Sequence, residues 1–181
     1  MYEVELKVRA DHEDVRKRLE EAGATRVGTV EQADVYYDAP DRNFAETDEA
    51  LRVRTERSDE GTETRLTYKG PLVDESSKTR EEAKTPVADS EELEAILAGL
   101  GYEPAAEVHK ERTRFRIREY TVTLDSVDGL GEFVEVETEV EADIDAARDG
   151  ARDVMETLGL DPDEQIRTSY LGLLLEEDAS E

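Results

Sequence analysis

The first strand-forming stretch places the strongest constraint on the fold of this chain. Between Tyr2 and Arg9 apolar and charged residues alternate without a break, with Val4, Leu6 and Val8 on the apolar parity. A period of two residues predicts a β-strand with one apolar and one charged face. The charged face belongs either to an edge strand exposed to water or to a site that holds carboxylates and a lysine in fixed geometry.

The remaining chain is predicted to contain antiparallel strands and a few helices. Further strands are predicted over 26–38, 51–54, 64–69, 78–87, 107–118, 120–127 and 132–140. Helices are predicted over 12–22, 90–99 and 143–158, with Gly23, Gly101 and Gly159 as the stops, and a short apolar helix over 168–175. Residues 39–50 are predicted to form a loop or a short irregular turn, and Gly70-Pro71 is expected to end a strand. The fold class is therefore α+β, with one domain over 1–175 and a frayed acidic tail over 176–181.

Basic residues concentrate at alternate positions of these strands, although the chain as a whole is acidic. They are Lys7, Arg9, Arg52, Arg54, Arg65, Lys69, Arg80, Lys84, Lys110, Arg112, Arg114, Arg116 and Arg118. The strand over 132–140 is the acidic counterpart, with Glu135, Glu137 and Glu139 on one face. Eight such strands can close into an antiparallel β-barrel, with helices over apolar outer faces and a charged interior that forms a tunnel. The alternative is an open sheet with helices on one face and cross-strand ion pairs on the other, and the pattern is equally compatible with both.

The composition excludes several classes of function. The net charge of −26, from 49 acidic and 23 basic residues, repels nucleic acids and anionic membranes, so neither partner is expected. This charge is tolerated in concentrated salt and indicates a halophilic source. The chain has no Cys and two His, His12 and His109, so disulfides and a Cys- or His-based zinc site are not expected. With no apolar run long enough to span a membrane and a strand at the N-terminus, we expect a soluble, cytoplasmic protein.

A tunnel of this kind would be selective for a particular ligand chemistry. Arg offers bidentate geometry to phosphate oxygens and Lys offers a point charge, so the tunnel would bind a compact polyanion. Carboxylates in the same tunnel would repel that anion unless divalent cations bridged the two. Oxygen-only ligation by Glu and Asp suits Mg²⁺ or Mn²⁺. The residues therefore predict a metal-dependent site for a triphosphate-like group.

An ordered set of motifs resembles the CYTH superfamily, also called triphosphate tunnel metalloenzymes. The N-terminal signature E-x-E-x-K is present as Glu3, Glu5 and Lys7. The other motifs, in chain order, are Leu51-Arg52-Val53-Arg54, Lys69-Gly70-Pro71, Arg80 with Glu82, Lys110 with Arg112, Asp125, Glu135 with Glu137, and Ser169-Tyr170. Within the superfamily the chain is most similar to class IV adenylyl cyclases, through residues 2–7, 100–104 and 124–135.

The resemblance implies a closed eight-stranded tunnel and a role for each matching residue. The residues implied to contact substrate phosphates are Lys7, Arg52, Arg54, Lys69, Arg80, Lys110 and Arg112. Those implied to hold a pair of Mg²⁺ or Mn²⁺ ions are Glu3, Glu5, Glu135 and Glu137. The catalytic residues carried over are Glu5, Asp125, Lys110 and Arg112. Arg114, Arg116 and Arg118 lie outside the signature and are interpreted as rim residues or surface ion pairs.

The resemblance implies an enzyme that converts ATP to cyclic AMP and pyrophosphate by attack of the 3′-hydroxyl on the α-phosphate. An alternative that uses the same tunnel is hydrolysis of tripolyphosphate, a nucleoside triphosphate or thiamine triphosphate. A further alternative is a polyphosphate- or nucleotide-binding module without catalysis, although the acidic set favours an enzyme. Dimers among cyclase-like relatives suggest a homodimer.

Overall fold

The fold is built around one closed antiparallel sheet. The computed structural model describes residues 1–180, and its strands pair in the order β1-β5-β4-β3-β2-β6-β7-β8, with β8 paired back to β1. The strands are β1 (Tyr2–Arg9), β2 (Thr25–Asp38), β3 (Ala50–Ser58), β4 (Gly61–Leu72), β5 (Lys78–Val87), β6 (Glu103–Ile117), β7 (Tyr120–Val127) and β8 (Gly131–Val140). The predicted eight-stranded α+β barrel is confirmed.

Helices flank this barrel. Within residues 1–180 they are α1 (His12–Glu21), α2 (Phe44–Thr47), α3 (Ser90–Gly99), α4 (Ile144–Thr157) and α5 (Tyr170–Ser180), with a 3₁₀ turn at Pro162–Glu164. Asp11 and Asp89 begin α1 and α3, because their carboxylates accept hydrogen bonds from backbone N–H groups of the first turn. None of the helices in the described part of the chain has the length and apolar character needed to cross a membrane.

The end of β4 differs from the prediction. The strand continues through Gly70 and Pro71 to Leu72, so the expectation that these two residues end it is wrong. Its register against β5 shifts between Lys69 and Leu72. This irregularity accommodates the proline, which has no N–H to donate to a ladder.

Two other segments contain more helix than predicted. The stretch predicted as a loop over 39–50 includes α2, whose N-cap Asn43 accepts a hydrogen bond from the backbone N–H of Ala45. The C-terminal helix α5 continues to Ser180, whereas the sequence predicted a helix only to Leu175. Glu181 lies outside the described residues.

The apolar faces of the strands point outwards and form the main core under α1 and α4. Leu6 and Val136, on neighbouring strands, are fully buried against Val154 and Met155 of α4 and Leu19 of α1. A smaller cluster places Leu97 of α3 on the outer face of β2 and β3. The open-sheet alternative is therefore wrong, and the charged faces enclose the interior of the barrel.

The C-terminal helix α5 contributes a third cluster. Tyr170, at its first position, packs edge-to-face on Phe133 with ring centroids 5.0 Å apart, next to Val108, Val127 and Leu130. Tyr170 is 6% exposed. The N-terminal end of α5 therefore packs against one end of the barrel.

Gly150 of α4 is required by the contact between this helix and the barrel. The Tyr120 hydroxyl donates a hydrogen bond to the carbonyl of Ala147, 2.9 Å away, and an added Cβ at Gly150 would overlap that hydroxyl. We expect Gly150→Ala to lower the free energy of unfolding by about 1–3 kcal/mol. Gly99→Ala in α3, where nothing lies within 4 Å of an added Cβ, should raise it by about 0.5–1 kcal/mol. Urea unfolding in high KCl measures both, and equal effects would contradict the packing of α4.

Candidate functional site

A charged cavity of about 680 Å³ occupies the interior of the barrel. Its basic lining residues are Arg52, Arg54, Arg65, Lys69, Lys78, Arg80, Lys84, Lys110, Arg112 and Arg114. Its acidic lining residues on the strands are Glu3, Glu5, Asp38, Glu56, Glu82, Glu135, Glu137 and Glu139. The cavity therefore gathers most of the residues that the sequence predicted for phosphate and metal binding.

Three carboxylates converge at one point of the cavity wall. Glu5 on β1 lies opposite Glu137 on β8 in the ladder, and Glu3 lies two residues before Glu5 on the same face. Each offers an oxygen, and these oxygens lie within 4.8 Å of one another. We call Glu3, Glu5 and Glu137 the carboxylate trio. Glu135 lies outside this group of oxygens and instead accepts a hydrogen bond from Arg112, at 3.3 Å.

The electrostatics of the carboxylate trio fit a divalent cation. Burial, together with the neighbouring Glu135, raises the pKa of Glu5 to about 7, and burial with the nearby Glu3 raises the pKa of Glu137 to about 8. The Oε2 atom of Glu5 is buried and accepts no hydrogen bond, and the ammonium of Lys78 lies 3.1 Å from it. Crowded, buried carboxylates of this kind are typical of an oxygen-only cation site, which suits Mg²⁺ or Mn²⁺.

Glu3 has the opposite electrostatic environment to Glu5. Burial opposes its ionisation, but the ammonium of Lys69, 2.8 Å from Glu3 Oε1, outweighs burial and lowers the pKa of Glu3. Lys69 also lies 3.7 Å from Glu82. The carboxylate trio therefore contains one residue that is ionised at neutral pH and two that carry protons near neutrality.

Asp34, which the sequence analysis did not identify, fixes two of the predicted phosphate-binding cations. Arg54 donates to both of its carboxylate oxygens, at 2.7 and 2.8 Å, and Lys110 donates to Oδ2 at 2.9 Å. Asp34 is fully buried, yet hydrogen bonds from Arg54 and the charge of Lys110 outweigh burial and lower its pKa. In the sequence, the only indication of this role was that Asp34 lies among apolar residues, at a position of β2 whose side chain points inwards.

Asp125 holds Arg112 in a similar way. The Arg112 guanidinium donates to both carboxylate oxygens at 2.6 Å, and the Tyr170 hydroxyl donates to Oδ2 at 2.6 Å. Asp125 is fully buried and does not line the cavity. It therefore reaches a ligand in the cavity only through the orientation of Arg112.

Lys7, the third residue of the N-terminal signature, also lies behind the cavity wall. Its ammonium donates to the carbonyl of Thr168 at 3.0 Å and lies 4.0 Å from the centre of the Tyr170 ring. Burial and the nearby Lys78 lower its pKa to about 8. The structure thus places Lys7 against Thr168 and Tyr170 and outside the cavity lining, whereas the resemblance implied a phosphate contact.

Arg52 is the cation most available to a ligand. It lines the cavity, forms no ion pair with any residue between 1 and 180, and has a buried Nε without a hydrogen-bond partner. The guanidinium of Arg80, by comparison, donates to the carbonyls of Asp48 and Gly70 and to the Asp48 carboxylate, each at 2.8 Å. An anion that enters the cavity therefore finds an unpaired guanidinium at Arg52.

The structure also places the remaining charged residues. Lys78, not identified from the sequence, lines the cavity 3.1 Å from Glu5 Oε2. Arg114 lines it too and pairs with Glu56 at 2.8 Å, whereas Arg116 and Arg118 are exposed and lie outside the lining. His109 is exposed, 3.3 Å from Glu107 and outside the cavity.

The comparisons with known proteins agree with this geometry. A model of the CYTH domain matches residues 1–170. The chain belongs to the CYTH family. It is 36% identical, over 96% of its length and 98% of the relative's, to the "Putative adenylate cyclase MJ0240" of Methanocaldococcus jannaschii.

Two solved structures extend the likeness to the fold. The PH1819 protein of Pyrococcus horikoshii OT3 is 37% identical, with a TM-score of 0.89 over 97% of this chain and 99% of that one. The "Putative adenylyl cyclase HpAC1" from Hippeastrum, described as having a dominant triphosphatase activity, shares the fold at 14% identity. Its TM-score is 0.70 over 97% of this chain and 95% of that one.

Metal binding to the carboxylate trio should depend on pH. Because Glu5 and Glu137 have pKa values of about 7 and 8, protons compete with a cation below pH 7 and leave when it binds. We expect the affinity for Mn²⁺ to rise from pH 6 to pH 8.5, with proton release at pH 7. Calorimetry in two buffers of different ionisation enthalpy measures this release. Glu137→Gln should reduce the proton release, whereas Glu60→Gln, at an exposed turn, should leave it unchanged. An affinity for Mn²⁺ that is independent of pH would contradict the assignment of the carboxylate trio as the metal site.

Proposed function

We propose that this protein is a divalent-metal-dependent enzyme that converts ATP to cyclic AMP and pyrophosphate. The observation that carries the metal-dependent triphosphate chemistry is the carboxylate trio, which shares one barrel cavity with the unpaired guanidinium of Arg52. Family membership supports the same class of chemistry. The name of the 36%-identical archaeal relative favours the cyclase over other triphosphate reactions.

In this proposal the cations of the cavity hold the triphosphate in line for attack. Arg52 contacts phosphate oxygens directly, while Arg54 and Lys110 are kept in place by Asp34 and Arg112 by Asp125. Fixed donors of this kind stabilise charge that develops on the leaving pyrophosphate without reorganising during the reaction. The 3′-hydroxyl of the ribose gives its proton to water as its oxygen bonds to the α-phosphorus, and the bond from that phosphorus to the pyrophosphate oxygen breaks.

Glu3, Glu5 and Glu137 would hold the divalent cation, with Glu135 next to them. A cation bound there would lower the pKa of the attacking hydroxyl and offset the negative charge of the phosphates. Glu135 and Glu5 lie close enough to affect each other's ionisation, and Arg112 hydrogen-bonds Glu135. The acidic set therefore favours an enzyme over a binding module, because carboxylates alone would repel a polyanionic ligand.

A second candidate function is hydrolysis of a triphosphate at its terminal phosphorus. The charged lining of the cavity contacts phosphates in either reaction, so it supports both. The Hippeastrum neighbour, described with a dominant triphosphatase activity, shows that this fold is compatible with that outcome. Water would then replace the 3′-hydroxyl as the nucleophile.

A product assay tests the proposal directly. Purified protein in high KCl with Mg²⁺ or Mn²⁺ receives ATP in one reaction and tripolyphosphate in another. We expect cyclic AMP and pyrophosphate in equal amounts from ATP. Release of orthophosphate from either substrate without cyclic AMP would contradict the cyclase proposal and support the triphosphatase.

Glu5→Gln tests whether turnover depends on the carboxylate trio. Loss of one oxygen ligand should reduce turnover at matched Mg²⁺ by 100-fold or more, on the order of removing a key electrostatic group in other enzymes. Glu60→Gln provides the matched control, since Glu60 is exposed at the β3–β4 turn. Unchanged activity in Glu5→Gln would contradict the metal assignment.

Arg52→Ala tests phosphate binding separately from catalysis. Removing the unpaired guanidinium should weaken tripolyphosphate binding by roughly tenfold or more, as expected for a charge-assisted hydrogen bond. Arg57→Ala is the control, because Arg57 is exposed on the same strand and does not line the cavity. Calorimetry reports both affinities, and equal affinities in the two variants would show that the cavity is not the phosphate site.

A further inference from the structure

The segment between β2 and β3, residues 39–49, forms part of the cavity wall although it belongs to no strand. Its residues that line the cavity are Asn43, Phe44, Ala45, Asp48 and Glu49. We call residues 39–49 the strap. Two neighbouring residues attach the strap to the barrel. Glu49 accepts a hydrogen bond from the hydroxyl of Tyr68 on β4, at 2.6 Å, and Asp48 contacts β4 and β5.

The contact of Asp48 with β5 engages one of the predicted phosphate-binding cations. The Arg80 guanidinium donates to Oδ1 of Asp48 and to the backbone carbonyl of the same residue, both at 2.8 Å. Oδ2 of Asp48 accepts a hydrogen bond from the backbone N–H of Leu72 at 2.8 Å. Burial opposes ionisation of Asp48, but these hydrogen bonds outweigh burial and lower its pKa. An ionised carboxylate therefore holds the paired donors that an arginine offers to a phosphate.

The carboxylate partner of Arg80 differs from those of the other lining cations. Within residues 1–180, the lining cations whose carboxylate partners all lie on strands are Arg54, Arg65, Lys69, Lys78, Lys84, Lys110, Arg112 and Arg114. A carboxylate on a strand cannot move away without a change in the ladder. Asp48 instead follows α2, a helix of four residues, and its side chain is 50% exposed. Movement of the strap alone can therefore free Arg80.

We propose that the Asp48–Arg80 contact is a latch that a triphosphate opens. In the ligand-free protein Asp48 occupies the guanidinium, and the phosphates displace this carboxylate, bind Arg80 and release the strap from β5. This inference rests on the proposed function, because it requires phosphate binding in the cavity, and it adds a regulation of that site. The carboxylate and a phosphate compete for the same donors and repel each other, so only one of them occupies Arg80. The affinity for a triphosphate is then reduced by the free energy needed to open the latch.

The backbone at Asp48 allows variants that remove the charge and keep the strap. Its φ of 56° lies in the left-handed region, which Asn and Gly adopt more readily than other residues. Asp48→Asn keeps the shape of the side chain, and Asp48→Gly removes the side chain while the backbone carbonyl remains available to Arg80. Asp41→Asn is the matched control, because Asp41 is exposed on the same strap and lies outside the cavity lining.

Calorimetry with an inert ligand measures the effect of the latch on affinity. The ligand is inorganic bismethylene triphosphate, which cannot be cleaved at its bridges, with Mg²⁺ in high KCl. We expect Asp48→Asn and Asp48→Gly each to strengthen binding roughly two- to fivefold, in the range of a partly exposed ion pair, and Asp41→Asn to leave it unchanged. In an Arg80→Gln background, Asp48→Asn should have no further effect, because the carboxylate no longer competes for that guanidinium.

Amide hydrogen exchange reports on the strap itself. Because the Leu72 N–H donates to the Asp48 carboxylate, its exchange should become faster when the wild-type protein is saturated with bismethylene triphosphate. NMR measures this amide in the free and the saturated protein. If Asp48 positioned Arg80 for the phosphate instead, the ligand would leave the exchange of Leu72 unchanged or slow it, and removal of Asp48 would weaken binding.

The outcomes separate this inference from the proposed function. Stronger binding in both Asp48 variants, absent in the Arg80→Gln background, together with faster exchange of Leu72 supports the latch. Equal or weaker binding in the Asp48 variants overturns the latch while the phosphate site stands, and so does unchanged or slower exchange of Leu72. If the wild-type protein does not bind bismethylene triphosphate, the proposed function fails, and the latch fails with it.

Discussion

The interior of this barrel depends on buried carboxylates that hold cations in place. Asp34 and Asp125 are fully buried, and each binds a guanidinium through both oxygens, with Lys110 as an additional partner of Asp34. A buried charge without a partner costs several kcal/mol, so the fully buried charges of the interior depend on such pairs. The apolar core must then lie outside the barrel, under α1 and α4, which is where the structure places it. The need to pair buried charges therefore explains why charged residues lie inside the barrel and the main apolar core lies outside it.

Contacts of these buried charged residues also connect the two ends of the chain. Tyr170, at the start of α5, donates a hydrogen bond to Asp125, and its ring contacts the ammonium of Lys7 on the first strand. Asp125 in turn orients Arg112 at the cavity wall. The C-terminal helix therefore contributes to the geometry of the site through contacts behind the wall. Its leucines, further along the helix, line the mouth of the cavity.

The carboxylate trio determines which kind of ligand the cavity favours. Glu5 and Glu137 have raised pKa values because burial and neighbouring carboxylates disfavour their charges, and a divalent cation would relieve both effects. Arg52 offers an unpaired guanidinium on another part of the same wall. An acidic cluster and an unpaired guanidinium in one cavity are complementary to a metal-bound polyphosphate.

The sequence by itself determined the strands, their two faces and most of the cavity residues, because alternation assigns each side chain to a face and the signature motifs identify Glu3, Glu5 and Arg52. It could not determine which face points inwards, since an open sheet and a barrel have the same alternation. Only the tertiary structure showed that Lys78 lines the cavity and that Lys7, Asp34 and Asp125 lie behind its wall. Those positions depend on which strands become neighbours and on where α5 packs. Both are set by contacts between residues far apart in the chain, such as Lys7 with Thr168.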